Sequence, residues 1–317
     1  MTDRRNILRG GVGATVGAAA LGLTAAGPAA GAPTAARTYV LVHGTNSAGA
    51  FWAPIARELT LRGHRVVAVD QPYHGAEAYL PASYQTQDLA AFATEPTPLG
   101  RIGLDDFERR VTGVVRRAAR GARDGKVVLV GHSMGGVSVS RVADAVPELL
   151  EHLVYMAAYC PAPAFPTITA CMGTPEAADA IVPEEQVIGD PAVLGVIRLN
   201  LRTGNPKDLA LFKEMVCADY PDAAFRNVLA GLQPDESDRV ATDRAVGGAG
   251  TWGRVPRTYL RFGKDRLITP ALQDLMIAAA DERTPGNPFR VRNFAAASHI
   301  GPLDPAPLVA ALAELGR

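Results

Sequence analysis

Short apolar runs alternate with longer amphipathic stretches along most of this chain. The runs occupy residues 38–42, 65–69, 126–130, 152–156, 257–262 and 289–294. Their length and their content of β-branched residues predict strands that are buried on both faces. Helix-length segments separate them, which is typical of an α/β chain whose mostly parallel sheet carries helices on both faces.

The segment 105–120 predicts an amphipathic helix. Phe107 and Val111 stand at helical spacing, and arginines fill most of the positions between the apolar residues. Asp105 and Asp106 suit its N-terminal end, where the helix dipole favours negative charge. We interpret the arginines as a solvated helix face, because the chain as a whole is neutral.

The alternation breaks between about residues 162 and 252. We predict no clear strand there, because prolines separate short helical pieces such as 207–217 and 222–232. Such a stretch predicts a helical cap inserted before the strand at 257–262. The expected organisation is therefore one α/β domain, residues 37–317, that carries this cap.

The first 36 residues predict an export signal. Arg4 and Arg5 precede a weakly apolar Gly/Ala/Leu stretch, residues 10–27, which is followed by small residues. The arginine pair resembles a twin-arginine signal, although Asp3 stands where that pattern has Ser or Thr. The stretch is too rich in glycine for a membrane span. We therefore expect a secreted or otherwise exported protein without stable membrane association after signal removal.

Composition and charge narrow the possible partners. Hydrophobic residues make up 48% of the chain, and 32 basic side chains balance 32 acidic ones. The chain can bury a large core and has no field that would attract nucleic acid. Cys160, Cys171 and Cys217 match no metal-site spacing, and both a disulfide involving Cys171 and buried free thiols are compatible with the sequence. We expect no metal and no organic cofactor.

A G-x-S-x-G motif directly follows the strand at 126–130. Gly131 and Gly135 flank Ser133, and the helix-length segment 134–145 comes next. Small residues at these positions let a strand turn sharply into a helix, which exposes the serine at the carboxyl edge of the sheet. This context predicts that Ser133 is a nucleophile.

A serine nucleophile needs a base to take its proton and an acid to orient that base. Among the six histidines, His299 follows the last predicted strand and is the candidate base, with His74 as the alternative. Asp265 follows the strand at 257–262 and is the candidate acid. The resulting chain order is Ser, Asp, His.

Two backbone N–H groups are candidates for an oxyanion hole. Met134 begins the helix after the serine, and Thr45 follows Gly44 in the loop after the first strand. Apolar side chains from loops and cap are predicted to line a hydrophobic substrate pocket. These residues are Trp52, Tyr73, Tyr159, Phe165, Trp252 and Ile300.

Five segments in this order resemble the α/β-hydrolase superfamily: VLVHGTNSAGAFW, DQPYHG, GHSMGG, FGKDRLITP and SHIGPLDP. The resemblance covers essentially all of residues 38–317. It is strongest to the branch that contains small-molecule esterases, plant methylesterases and hydroxynitrile lyases. It implies an α/β-hydrolase fold with a catalytic triad of Ser133, Asp265 and His299, and an oxyanion hole formed by the amides of Thr45 and Met134.

The lyases of that branch provide a contrast. They carry Thr where this chain has Gly44 and Lys where it has Ile300, and both differences favour ester hydrolysis. Enzymes of similar fold that use an Asp nucleophile are excluded by Ser133. The expected function is cleavage of a carboxylic ester or lactone of a mostly apolar small molecule through an acyl-enzyme. Acyl transfer, perhydrolysis or carbon-carbon bond cleavage by the same triad, and non-catalytic binding of a small molecule, are the alternatives.

Overall fold

A computed structural model describes residues 36–315, and within them the chain forms one six-stranded and one two-stranded sheet. The strands are β1 (Thr38–Val42), β2 (Arg65–Val69), β3 (Val127–His132), β4 (Leu150–Met156), β5 (Val196–Arg198), β6 (Asp235–Ser237), β7 (Arg257–Phe262) and β8 (Arg290–Phe294). The larger sheet has the order β2-β1-β3-β4-β7-β8, and all neighbouring strands in it are parallel. Parallel strands bring their carboxyl ends to one edge, where the loops that carry the candidate residues meet.

Helices connect these strands. The α-helices are α1 (Ala53–Leu61), α2 (Ala82–Thr86), α3 (Leu89–Phe92), α4 (Leu104–Ala119), α5 (Gly135–Ala145), α6 (Ile168–Met172), α7 (Pro191–Leu194), α8 (Pro206–Cys217), α9 (Asp222–Ala230), α10 (Asp238–Thr242), α11 (Pro270–Arg283) and α12 (Ala306–Ala313). The helix predicted at 105–120 corresponds to α4, whose Phe107 and Val111 are buried while Arg116 and Arg117 are exposed.

Helices cover both faces of the larger sheet, because alternate residues of each strand point to opposite sides. Val40 and Val42 of β1 join an apolar cluster with α4, α5 and α11. Tyr39 and Leu41 join a second cluster with α1 and α12. The predicted fold class, a mostly parallel sheet between two helical layers, is confirmed.

Two of the predicted strands are less buried than expected. The six predicted strands all form, but β2 and β8 lie at the edges of the sheet. In β8, Arg290, Val291 and Arg292 are exposed. An edge strand pairs on one side only, so its side chains are more exposed to solvent than those of a central strand. The expectation that every strand is buried on both faces was wrong for these two.

The segment between β4 and β7 is largely helical and includes α6 to α10. The pieces predicted at 207–217 and 222–232 correspond to α8 and α9. Phe212 and Phe225, one from each of these helices, belong to an apolar cluster formed within the segment. Below, residues 162–252 are called the cap.

The cap also contains the antiparallel pair β5 and β6, where we predicted no strand. Each has three residues, and one buried ion pair joins them: Arg198 Nε lies 2.7 Å from Asp235 Oδ1. Strands of three residues are too short to show an apolar run or alternation, so the sequence pattern does not reveal them.

The export-signal prediction concerns residues 1–36, of which 1–35 lie outside the described residues. Among residues 36–315, every helix falls short of the length and apolar character that a membrane crossing needs. Cys160, Cys171 and Cys217 are all free and buried, so the structure supports free thiols over a disulfide.

Candidate active site

The turn between β3 and α5 holds Ser133 in a conformation that few residues other than glycine adopt, with φ of 53°. Strand and helix approach closely around it. A Cβ on Gly131 would lie 2.7 Å from the carbonyl oxygen of Gly135, and a Cβ on Gly136 would lie 2.2 Å from that of Tyr159. The tight turn therefore depends on glycines, and Gly136 has the least room.

The structure brings together the three residues predicted as nucleophile, acid and base. His299 Nε2 lies 3.0 Å from Ser133 Oγ, and His299 Nδ1 lies 2.8 Å from Asp265 Oδ2. All three residues are at most 3% exposed. In this arrangement Nδ1–H donates to the carboxylate, which leaves Nε2 free to accept the serine proton.

The acid is held by its own loop, just after β7. Asp265 Oδ1 accepts hydrogen bonds from the backbone N–H groups of Leu267 and Ile268, both at 2.9 Å, so only Oδ2 faces the histidine. The buried Gln273 of α11 secures this loop, since its amide nitrogen donates to the carbonyl oxygens of Phe262 and Ile268. These contacts fix one carboxylate orientation.

His299, the candidate base, is held by contacts from β3 and from the cap. His132, the last residue of β3, donates from Nε2 to the backbone carbonyl of His299 at 2.9 Å. The N–H of Ile300 donates to Val216 O of the cap at 3.1 Å. Burial, followed by the neighbouring His299, lowers the pKa of His132 well below its ordinary value. His132 is therefore neutral, and its ring stacks on Phe51 at 4.6 Å between centroids. This supporting role of His132 was not predicted from the sequence.

The loop after β1 lies directly against the nucleophile. A Cβ on Gly44 would be 2.7 Å from Ser133 Cβ, so only glycine allows this approach. Within residues 36–315, no hydrogen bond uses the backbone N–H of Thr45 or of Met134. Both predicted oxyanion donors are thus available, in segments on either side of the serine.

His74, the alternative base, is engaged elsewhere. It is fully buried, and its Nε2 lies 3.2 Å from Glu236 Oε2 of β6. Its neighbour His43 donates from Nδ1 to Gly44 O and accepts from the N–H of Gln71. Burial, followed by the charge of His74, lowers the pKa of His43 to about 4. Neither histidine has the partner that a general base for Ser133 requires.

Three predicted pocket residues, Tyr159, Phe165 and Ile300, lie near the candidate triad or pack with residues that do. The backbone N–H of Tyr159 donates to Ser133 O at 3.1 Å, and Ile300 directly follows His299. Phe165 is buried in the cluster that also contains Tyr159. An apolar environment next to the serine follows from these positions.

The other three predicted pocket residues contact groups other than Ser133, although Trp252 belongs to the same apolar cluster as Tyr159 and Phe165. Trp52 is wholly buried in the apolar cluster that the sheet forms with α1 and α12. Tyr73 is 38% exposed at the surface. Trp252 donates from Nε1 to Tyr155 Oη at 2.7 Å, and the Arg257 guanidinium lies 4.2 Å from the centre of its ring. Both tryptophans are buried, as the largest apolar side chains usually are, and their place in the pocket stays a prediction.

Between residues 36 and 315, no group of three or more His, Cys, Asp or Glu side chains has the arrangement needed to hold a metal ion.

The chain is similar to known hydrolases in both sequence and structure. The model of the alpha/beta hydrolase family matches residues 39–311. Methylesterase 18 of Arabidopsis thaliana is 23% identical over 240 residues, which cover 76% of this chain and 84% of that protein. The pyrethroid hydrolase of Sphingobium wenxiniae is 26% identical over 243 residues, covering 75% and 74% of the two chains. The solved structure of an extracellular alpha/beta-hydrolase from a Paenibacillus species superposes with a TM-score of 0.64 at 18% identity, covering 89% of this chain and 99% of that one.

Proposed function

Since the chain belongs to the alpha/beta hydrolase family, we propose that Ser133, His299 and Asp265 are its catalytic triad and that it cleaves a carboxylic ester or lactone of a mostly apolar small molecule. The enzyme class is that of a carboxylic ester hydrolase. One observation carries the proposal for the residues: the unbroken chain of hydrogen bonds from Ser133 Oγ through the imidazole to the Asp265 carboxylate.

In the first half of the proposed reaction, Ser133 Oγ attacks the carbonyl carbon of the ester while His299 Nε2 takes the serine proton. The negative charge that develops on the carbonyl oxygen is stabilised by the N–H groups of Thr45 and Met134. The imidazolium then gives its proton to the departing alcohol, and the acyl group stays on the serine. Asp265 stabilises the imidazolium and holds its ring in place.

In the second half, a water molecule takes the place of the alcohol. His299 removes a proton from this water as it attacks the acyl carbon, and the same two N–H groups stabilise the second tetrahedral intermediate. When the intermediate collapses, the proton returns to Ser133 Oγ and the carboxylic acid leaves. The cycle uses only groups present in the chain and water.

Support for a mostly apolar substrate comes from the surroundings of the serine. Met134 directly follows Ser133, and its side chain is buried in one apolar cluster with that of Tyr159. Ile300, next to His299, packs against the apolar cluster of the cap. These side chains favour acyl or alcohol groups that gain from leaving water. A relative that is named a pyrethroid hydrolase supports the same class of substrate.

A panel of aryl esters and lactones with graded acyl length tests this function. We expect turnover of several members, and we expect Ser133→Ala to lower kcat/KM by at least about 10⁴-fold, because the nucleophile is lost. Ser140→Ala is the matched control: Ser140 is a buried serine of α5, the helix that follows Ser133, and its hydroxyl is bonded to Tyr155 Oη. This variant should keep turnover within a few fold. Substantial turnover by Ser133→Ala, or no turnover of any ester by the unaltered protein, would overturn the proposal.

A further inference from the structure

A buried ion pair joins the cap to the loop after β2. Glu236 Oε2 lies 3.2 Å from His74 Nε2, and His74 Nδ1 lies 2.9 Å from the carbonyl oxygen of Pro72. Both ring nitrogens face acceptors, so both must donate, and the ring is an imidazolium. Burial by itself would lower the pKa of His74, but the charge and hydrogen bond of Glu236 outweigh it and raise that pKa. At 3% and 0% exposure, neither partner is solvated by bulk water.

The same carboxylate binds the loop that carries a predicted oxyanion donor. Glu236 Oε2 also accepts a hydrogen bond from the backbone N–H of Asn46 at 2.8 Å, while Oε1 accepts from the N–H of Ser237 at 2.9 Å. Asn46 directly follows Thr45, whose N–H points free of other partners within the described part of the chain. Glu236 therefore acts one peptide away from the donor.

Asn46 is held at three points, all on the cap side. Besides its N–H on Glu236, its carbonyl oxygen accepts from the N–H of Gln233 at 2.7 Å, and its side-chain amide donates to Gln233 O at 2.9 Å. Its φ is 55°, a left-handed conformation that costs free energy for any residue with a Cβ and persists only where surroundings enforce it. The contacts to Glu236 and Gln233 supply that enforcement.

We propose that Glu236 and His74 are positioning residues for the oxyanion hole: the buried pair fixes Asn46 and thereby aims the N–H of Thr45 at the substrate oxygen. This inference rests on the proposed function. The positive charge of His74 balances the negative charge of the buried Glu236 carboxylate. A charged acceptor holds the N–H of Asn46 more strongly than a neutral acceptor would. Neither side chain touches the reacting atoms.

The test compares kcat, KM and the affinity for an aryl trifluoromethyl ketone, whose serine adduct places an oxyanion in the hole. Glu236→Gln keeps the side-chain volume, but an amide cannot accept from both Asn46 and Ser237 while also accepting from His74⁺. We expect kcat to fall about 10-fold in Glu236→Gln and about 100-fold in Glu236→Ala, because a donor displaced by a fraction of an ångström loses much of its effect. KM should change less than about 3-fold, and ketone affinity should fall in parallel with kcat.

Three controls separate positioning from general stability. Ser237→Ala removes a buried hydrogen bond to Ile102 O from the same strand, and it should lower the melting temperature while leaving kcat and ketone affinity unchanged. His74→Gln should reproduce the kinetic defect of Glu236→Gln. The double variant should be little worse than either single variant, since both remove the same pair.

The outcomes are distinct. If Glu236→Gln and His74→Gln keep kcat and ketone affinity within about 2-fold while melting at a lower temperature, the pair has only a structural role and the inference fails. Should Glu236→Ala not fold, the two glutamine variants decide. If Ser133→Ala retains turnover, the proposed function fails instead, whatever Glu236 does.

Discussion

At the scale of single residues, the chemistry depends on how few orientations each side chain is allowed. Asp265 Oδ1 is occupied by two backbone N–H donors, so only Oδ2 can face the base. His299 is fixed through its backbone as well as its ring, because His132 donates to its carbonyl oxygen. The proposed triad is thus arranged before substrate arrives, which is the condition under which electrostatic stabilisation is most effective.

Asp265→Asn tests this orientation. The oxygen of the new amide is expected to keep the two N–H bonds from Leu267 and Ile268, which turns its NH₂ group toward His299 Nδ1. The ring must then present a bare Nδ1 to the amide and carry its proton on Nε2, so it cannot accept the serine proton. We expect kcat to fall by about 10³- to 10⁴-fold with KM nearly unchanged.

Steady-state kinetics on an aryl ester, together with chemical denaturation, provides the measurement. The free energy of unfolding of Asp265→Asn should stay within about 1 kcal/mol of the parent, because the loop keeps its hydrogen bonds. A variant that loses less than 10-fold in kcat would show that Asp265 does not set the tautomer of His299.

At the scale of elements, the sequence predicted most of what places the triad. Ser133, Asp265 and His299 each follow a predicted strand, and the carboxyl ends of parallel strands meet at one edge. Local patterns carry this information. The role of Glu236 does not follow from any local pattern, because its partner Asn46 lies 190 residues away and β6 has only three residues.

Side-chain direction was the other quantity that position along the chain did not define. An aromatic residue in a loop can turn toward a pocket or toward the core, and the pattern of its neighbours does not distinguish the two outcomes. Trp252 is buried and donates its indole N–H to Tyr155, and Tyr159 is buried in the same apolar cluster with its hydroxyl donating to Met172 Sδ at 3.1 Å. The direction of a loop aromatic is therefore a weaker prediction than the position of a residue at a strand end.

Gly136→Ala tests how closely α5 packs on the sheet. The new Cβ would lie 2.2 Å from Tyr159 O and 3.0 Å from Ala158 Cβ, so α5 must move away from the end of β4 and carry Ser133 with it. We expect a loss of at least about 1–3 kcal/mol in the free energy of unfolding. Turnover should fall as well, because the serine moves out of line with His299.

Gly113→Ala in α4 is the matched control, since it also places alanine at a helical glycine. The nearest atom to its Cβ is Arg117 Nη1 at 3.5 Å, so nothing must move. This variant should gain about 0.5–1 kcal/mol from helix propensity. Urea unfolding of both variants measures the difference. Equal changes in the free energy of unfolding would mean that close packing at the turn between β3 and α5 is unimportant.

At the scale of the whole molecule, the chain carries no net charge at neutral pH but buries several histidines in opposite states. Burial lowers the pKa of His43 and of His152 to about 4, and it also lowers that of His132 well below its ordinary value. His74 is the opposite case, with a raised pKa beside Glu236. Folding therefore changes the number of bound protons most strongly in mildly acidic solution.

The direction of the pH dependence follows from those pKa values. A histidine with an ordinary pKa of 6.5 and a folded pKa of about 4 binds its proton first in the unfolded chain, so its contribution is complete above pH 6.5 and is lost as pH falls toward 4. His74 contributes in the opposite direction, since its stabilisation is complete below pH 6.5 and fades as pH rises through its folded pKa. Because more histidines have a lowered pKa than a raised one, the protein should lose stability as pH falls from 7 to 4.5.

His152→Gln isolates one member of that group. His152 is buried within β4, its Nε2 lies 2.8 Å from Thr258 Oγ1, and the charged groups that act on it are Arg290 and Arg37. Between pH 7 and pH 5 the parent should lose about 2 kcal/mol through this site alone, and the glutamine variant should lose correspondingly less. Urea unfolding at the two pH values measures both slopes. Equal slopes in parent and variant would show that the pKa of His152 is the same in the folded and the unfolded chain, and that acid sensitivity has another source.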